Sequence, residues 1–458
     1  MAHPSHLTRS RSRSNVPAHL EDLDPKAFLD ALTDLFPPDE IRRLAGESGF
    51  VERYRKLDPV AFLLTLVLDT GPEIERTLDG LRHAYNARIT DDPILSYNGF
   101  YQRFTPELVE FLRLCVAYAL AHLAAQPGNR LTPKLARFSD ILIQDSTVIR
   151  LCAALAHVDP ATRARGAAAG VKVATLLSAR ANGPQRLELT GETTPEIDTL
   201  KVGPWVKGSI LLTDLGFYKH QGFARIEENG GYFLSRLKGN ANPTFVRSLT
   251  VHRGRAIELE GKTWKEVAPR LPREALDAEV EIAFSRRGYR GRRSGDTLTA
   301  RLVAVWDEEH REYHAYLTNL PTDVLNAEEV AELYRVRWCV ELRFKEGKGL
   351  FQLDRVRTKN RWVAEALIWT GWLSLIASRA AHSVALSALP EEWRVRYPSV
   401  RWSIAWRNVA SGFLRHLLRS LGLERVEPEP LVELQMRLMA RALDPNISRE
   451  RFRRGWFA

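Results

Sequence analysis

The chain has 458 residues, 45% apolar and 27% charged, ordinary proportions for a soluble protein with length for about two to four domains. Its formal net charge of +10, pI near 9.5 and arginine-rich basic set favour a polyanionic partner, either nucleic acid or a membrane surface. The longest apolar run, Ala366 to Leu389, contains Arg379 and His382 and reads as a buried core helix, which argues against the membrane, and Cys115, Cys152 and Cys339 form no CxxC pair, which argues against a zinc site or disulfide framework and fits a reducing cytosol.

The N-terminus, with Arg9-Ser10-Arg11-Ser12-Arg13-Ser14, lacks the apolar stretch of a signal peptide and reads as a disordered basic tail. From about Asp24 to Gln126 the pattern is helical. One apolar segment holds Leu63, Leu64, Leu66 and Val67, and Pro72 near N1 opens a further helix. The turn at Ile89 to Pro93 leads into Leu95-Ser96-Tyr97-Asn98-Gly99-Phe100-Tyr101-Gln102-Arg103-Phe104. Helix, turn and a short polar helix suit a helix-turn-helix DNA reader, with Arg103 as a contact; the plainer reading is a helical bundle with exposed polar residues. Thr105-Pro106-Glu107-Leu108 then starts an apolar helix that Gln126-Pro127-Gly128-Asn129 breaks.

Strands alternate with helices from there, which argues an α/β sheet. Phe138 to Leu151 is a buried strand whose apolar run Asp145 follows almost directly, so that Asp145 is expected at a strand end; Val171 to Leu177 and Gln185 to Thr190 follow, with a polar turn at Glu192 to Glu196; Ser209 to Thr213 is an apolar strand ending in Asp214; and Tyr232 to Leu237 is another. Between Gly239 and Asn319, short apolar stretches separated by Gly and charge suggest β-rich structure. Within it, Ser285 to Gly295 is a cationic hairpin tip whose arginines, Arg290 and Arg292 among them, suit phosphate forks and base stacking. A solvated loop is the alternative. Asp354 to Arg361 is a second basic run, and from Trp393 onward the chain is again helical and rich in Arg and Trp. There Leu431, Leu434, Leu438 and Met439 recur at helical spacing, either as a helix-pairing surface or facing this region's own core.

The stretch after Ala327 organises the rest. Asn326 is the expected N-cap, with acids in the first turn. Tyr334, Arg337, Glu341 and Lys348 fall within an arc of roughly 60° on a continuous helix. A phenol, a guanidinium, a carboxylate and an ammonium thus share one face, beside an apolar stripe of Leu333, Val336, Val340 and Phe344. Glu346, a rival carboxylate, would point about 140° away from Glu341. Periodicity alone allows a merely solvated face carrying i,i+4 pairs.

The four residues make the pattern Y-x2-R-x3-E-x6-K, a signature of transposases of bacterial insertion sequences. With Asp145 in Gln-Asp-Ser-Thr and Asp214 in Thr-Asp-Leu-Gly-Phe-Tyr, in the same order, the chain resembles the IS-four branch of the DDE transposases over roughly residues 96 to 363. The resemblance implies a ribonuclease H-like catalytic core in which Asp145, Asp214 and Glu341 hold two magnesium ions, with manganese as a substitute. It implies that Tyr334, Arg337 and Lys348 grip phosphates of the transposon end, and that water and then a DNA 3′-hydroxyl attack. It also implies a hairpin intermediate with a flipped base on a tryptophan, for which Trp264, Trp306 and Trp338 are candidates. The implied partners are double-stranded DNA, as transposon ends and as target, and a second copy of the chain on that DNA; the implied location is the cytoplasm, at the nucleoid.

The expected organisation is a basic tail (1–20), a helical DNA-end-binding domain (21–130), a ribonuclease H-like α/β core (131–238 and 320–388) carrying a β-rich insertion (239–319), and a helical C-terminal region (389–458) for dimerisation. Two other functions remain open: an inactive, domesticated relative that only binds DNA, and a ribonuclease H-like nuclease without strand transfer.

Overall fold

The apolar runs of the middle of the chain form one mixed sheet of nine strands. The computed structural model describes residues 20, 23–51, 57–69, 77–88, 94–125, 131–162, 169–181, 183–252, 255–256, 258–271, 275–286, 294–353, 356–424 and 426–445. Its strands are β1 (Ile141–Leu151), β2 (Ala169–Ser178), β3 (Gly183–Gly191), β4 (Ile210–Thr213), β5 (Tyr232–Arg236), β6 (Thr244–Ser248), β7 (Val251–His252), β8 (Arg255–Ala256), β9 (Leu276–Ser285), β10 (Gly295–Asp307) and β11 (Glu312–Thr318). The order across the sheet is β3-β2-β1-β4-β5-β11-β10-β9-β6, and β7 and β8 form a separate ribbon. Strands β1, β2 and β3 are antiparallel, β1, β4 and β5 are parallel, and β11 returns antiparallel to β5. The segment read as a β-rich insertion therefore extends the central sheet through the β5–β11 pairing. Strands β2 and β9 are each next to an end of the sheet, yet β2 is buried at every residue whereas β9 begins by alternating buried and half-exposed residues.

Among the described residues, six helices precede the sheet: α1 (Lys26–Leu35), α2 (Pro38–Glu47), α3 (Pro59–Leu68), α4 (Leu78–Arg88), α5 (Tyr97–Tyr101) and α6 (Pro106–Ala125). Short helices α7 (Glu196–Thr199) and α8 (His220–Glu228) lie on the crossovers into β4 and β5, and α9 (Trp264–Val267) precedes β9. After β11 come α10 (Ala327–Arg335), α11 (Trp338–Gly349), α12 (Arg361–Ala388), α13 (Glu391–Arg394), α14 (Ser399–Arg407), α15 (Ala410–Ser420) and α16 (Leu431–Ala442).

The first and last helices share one core around α12 and a face of the sheet. Phe28 of α1 meets Trp402 of α14 at 6.3 Å and Phe413 of α15 at 5.8 Å between ring centroids. Ser374 of α12 donates to the Val67 carbonyl of α3 at 2.7 Å, and Gln435 of α16 donates to the Leu23 carbonyl at 2.6 Å. The N- and C-terminal helical regions, read from sequence as separate units, are thus joined by a common interior. Leu434, Leu438 and Met439 are fully buried in it, so the α16 stripe faces the chain's own core. A second core on the other sheet face is built by α8, β6, β9 and β10. Among the described residues one helix, α6, is long and apolar enough to cross a membrane; it packs on α12, α2 and β3, and half of its most apolar window is buried.

The basic tail, the helix start at Pro72, the turn at Ile89 to Pro93, the break at Gln126 to Asn129, and Arg290 and Arg292 lie outside the described residues.

Candidate active site

Two neighbouring strands set the two aspartates side by side. Strands β1 and β4 pair from Ile141↔Ile210 to Gln144↔Thr213, and Asp145 and Asp214 are the next residue on each. Asp214 leaves β4 directly and caps the following turn, its Oδ1 accepting the Gly216 N–H at 2.9 Å. Asp145, expected at a strand end, instead sits inside β1, which runs on to Leu151 by pairing with β2. The end of β4 is what uncovers it.

The third acid arrives on α10 and α11. Helix α10 starts where the sequence indicates: Asn326 accepts the Glu329 N–H while the Glu329 carboxylate accepts the Asn326 N–H. Lys134 pairs with Glu329, and buried Arg301 of β10, held by Asp277, donates to the Leu325 carbonyl at 2.9 Å. At the far end the Tyr334 hydroxyl donates to the Thr213 carbonyl at 3.2 Å, which seats α10 over the end of β4. The continuous helix expected from sequence is interrupted here. The N–H groups of Val336, Arg337 and Val340 bond carbonyls three residues back, at 3.1, 3.0 and 3.1 Å, a tight turn between α10 and α11.

Arg337 sits in that turn and clasps two acids. Its Nη1 donates to Asp145 Oδ2 at 3.2 Å and its Nη2 to Glu341 Oε1 at 2.9 Å. Asp145, Asp214, Glu341, Arg337 and Tyr334 therefore meet at the carboxyl end of β4, in the interior of the sheet. A fourth carboxylate joins them. Glu196, the first residue of α7, accepts from the Ser146 hydroxyl at 2.7 Å, and a methyl group placed on Gly216 would overlap its Oε2.

The electrostatics follow from burial and crowding. Desolvation pushes the Asp145 carboxyl up to about 7, helped by Asp214 and Glu196 and opposed by the Ser146 N–H and Arg337. Desolvation and then Glu196 raise Asp214 as well. The Tyr334 phenol is pushed up to about 12, chiefly by burial. Burial works against the charge on Arg337, but Glu341, Tyr334 and Asp145 outweigh it and hold the guanidinium charged. With Asp145 raised, its proton stabilises the metal-free fold at low pH, and that contribution is lost as pH rises through about 7. A cation binding Asp145 has to displace this proton.

The Transposase DDE domain family model matches residues 136–376, more than half of the chain. The chain belongs to the DDE transposase family. It is 26% identical to the transposase for insertion sequence element IS231F of Bacillus thuringiensis subsp. israelensis, over 74% of this chain and 76% of that protein. It is 22% identical to the transposase for insertion sequence element IS1151 of Clostridium perfringens, over 72% of this chain and 75% of that one. A shorter stretch, 13% of this chain and 16% of the relative, is 47% identical to the putative transposase InsL for insertion sequence element IS186A of Escherichia coli (strain K12).

The other residues that sequence singled out in this DDE transposase lie around the site or apart from it. Lys348 is on α11 about two turns beyond Glu341 and is half-buried. Glu346 is buried on another side of α11, paired with Arg379 of α12. Arg103 is half-buried in the turn after α5, whose Phe100 is anchored on Phe62 of α3 at 5.6 Å. Tyr97 and Tyr101 are exposed there, as are Ser96, Asn98 and Gln102, and the Tyr101 hydroxyl accepts from Asn360 at the start of α12 at 3.1 Å. Of the three tryptophans, Trp264 and Trp306 are half-buried, and Trp338 is 58% exposed with the Arg337 guanidinium 5.4 Å from its ring centroid.

A second carboxylate–imidazole group, Asp307 with His310 and His314, closes the β10–β11 hairpin. Arg236 donates to His314 Nδ1 at 3.1 Å, which leaves His314 Nε2–H to donate to Asp307 at 2.8 Å, so the group is satisfied within the chain. Sequence reading missed Glu196, which it placed in a polar turn. Its partners, Ser146 and Gly216, are far from it along the chain.

Proposed function

We propose that the chain is the transposase of an insertion sequence, cutting DNA at the element's ends and joining those ends to target DNA by metal-assisted phosphoryl transfer. The observation that carries this reading is the meeting of Asp145, Asp214 and Glu341 at the carboxyl end of β4, with Arg337 clasping Asp145 and Glu341. The order β3-β2-β1-β4-β5, antiparallel up to β1 and parallel beyond it, supports a ribonuclease H-like core.

The donor set fits a hard divalent cation. Carboxylate oxygens are what magnesium takes, with waters kept for a substrate phosphate, and burial first, then the neighbouring carboxylates, raises the proton affinity of both aspartates. Asp145, Asp214 and Glu341 would hold two such ions, magnesium or manganese in its place. Such a centre would supply Lewis-acid activation of the attacking oxygen and charge stabilisation of the leaving one in an in-line displacement. Arg337 keeps Asp145 and Glu341 in position through its two terminal nitrogens, and would meet a phosphate of the cut strand by exchanging one of these carboxylates for it. Lys348, farther along α11, supplies a point charge to the same backbone. Tyr334 sets the height of this helix over β4 through its hydroxyl. Exposed Trp338 offers a stacking face for a base displaced beside the cut. Arg103, and Arg290 and Arg292 outside the described residues, would also meet DNA. Two copies would assemble on the paired ends in the cytoplasm, at the nucleoid; on α16 Val432 and Met436, 52% and 40% exposed, remain available for contact.

The test is strand transfer. With magnesium, the purified chain should join a fragment carrying the element's terminal repeats to a target plasmid. Cleavage without joining would favour a nuclease without strand transfer. Binding without cleavage would favour an inactive relative.

A further inference from the structure

The crossover before β4 brings a residue to the site that the acid set proper does not include. Glu196 lies where β1, β4 and α7 meet. Its Oε1 accepts from the hydroxyl of Ser146, whose own N–H donates to Asp145 at 2.7 Å. Its Oε2 rests on the α-carbon of Gly216, where any side chain would collide with it, and Asp214 Oδ1 lies 3.1 Å from the position a Gly216 β-carbon would take. Glycine at 216 is what lets the Glu196 and Asp214 carboxylates crowd over this turn.

Among the described residues no lysine or arginine pairs with Glu196, and the guanidinium that serves the site is committed to Asp145 and Glu341. Four carboxylates thus stand against one arginine, on a surface that must receive a polyanion. A carboxylate kept there repels both its neighbours and the incoming phosphate unless a cation lies between them. A plain hydrogen-bonding role would not require the charge, because glutamine accepts from Ser146 equally well.

We propose that Glu196 is a fourth carboxylate of the metal centre, sharing a divalent cation with Asp214. This rests on the metal-dependent reading above and extends it to a residue outside the D-D-E set. It is tested by titrating Mn2+ into the full-length chain while free Mn2+ is followed by electron paramagnetic resonance, for wild type and Glu196→Gln, alongside the unfolding midpoint of each without metal. The expected result is Mn2+ affinity weakened about tenfold or more in the variant, with an unfolding midpoint equal to or above that of wild type, because a repelling charge has gone. Equal Mn2+ affinity with a lowered midpoint would mark Glu196 as a structural hydrogen-bond acceptor and overturn the proposal. Should wild type itself bind no Mn2+, the metal-centre reading and this proposal fall together, whereas equal binding by both proteins removes Glu196 alone.

Discussion

Replacing Asp145, Asp214 or Glu341 by alanine is expected to abolish cleavage of end DNA while the variants still bind it. The three acids converge from β1, β4 and α11, and each carries part of the charge that would hold the cations against the scissile phosphate. Removing one costs several kcal/mol of transition-state stabilisation, roughly a thousandfold or more in rate. Binding is expected to persist because phosphate contacts by Lys and Arg supply most of the affinity for DNA, and losing a carboxylate from the DNA-facing edge removes repulsion. The check is a single-turnover cleavage assay on an end duplex in magnesium, with binding measured separately in calcium. Cleavage near the wild-type rate by any one variant would remove that residue from the site.

A change five residues along the same helix is expected to have the opposite consequence. Glu346 and Arg379 are 2% and 1% exposed and pair across α11 and α12, with Ser403 of α14 also donating to Glu346. Arg343 adds a contact at 3.2 Å. Burial drives the Arg379 guanidinium downward from its ordinary range, aided by nearby Arg343 and resisted by Glu346. Glu346→Ala leaves that guanidinium buried without its carboxylate, a loss of about 3–5 kcal/mol. Glu346→Leu with Arg379→Met replaces the pair by apolar groups and should recover most of it. Chemical denaturation of the metal-free proteins measures both, with Glu341→Ala as the reference. A Glu346→Ala protein as stable as wild type would contradict the structural role assigned to this pair. Glu341→Ala should change stability little, since Glu341 is a half-exposed partner in an i,i+4 pair.

The residues that meet at the site were legible because their signals are local. Asp145 and Asp214 stand out as carboxylates on apolar strands, and the tyrosine, arginine and glutamate of the signature helix lie within a few turns of one another. Other features depend on contacts that local sequence does not encode. The break at Arg337 has no proline or glycine to announce it, and it lies where Arg337 reaches both Asp145 and Glu341. The sheet continues through β11 because Thr318 pairs with Leu234, a contact across the whole of the supposed insertion. Likewise, α1 and α16 share a core although they stand at opposite ends of the chain. Glu196 looks like one more polar turn residue until Ser146 and Gly216 are brought beside it.

Anomalous diffraction from crystals of the full chain soaked in Mn2+ with a bound end duplex reads directly whether Asp145, Asp214 and Glu341 form a divalent-metal centre. Two manganese peaks about 3.5–4 Å apart are expected, bounded by the carboxylates of these three residues. Manganese found elsewhere, with the three carboxylates still held only by Arg337 and their backbone donors, would contradict the metal-centre reading.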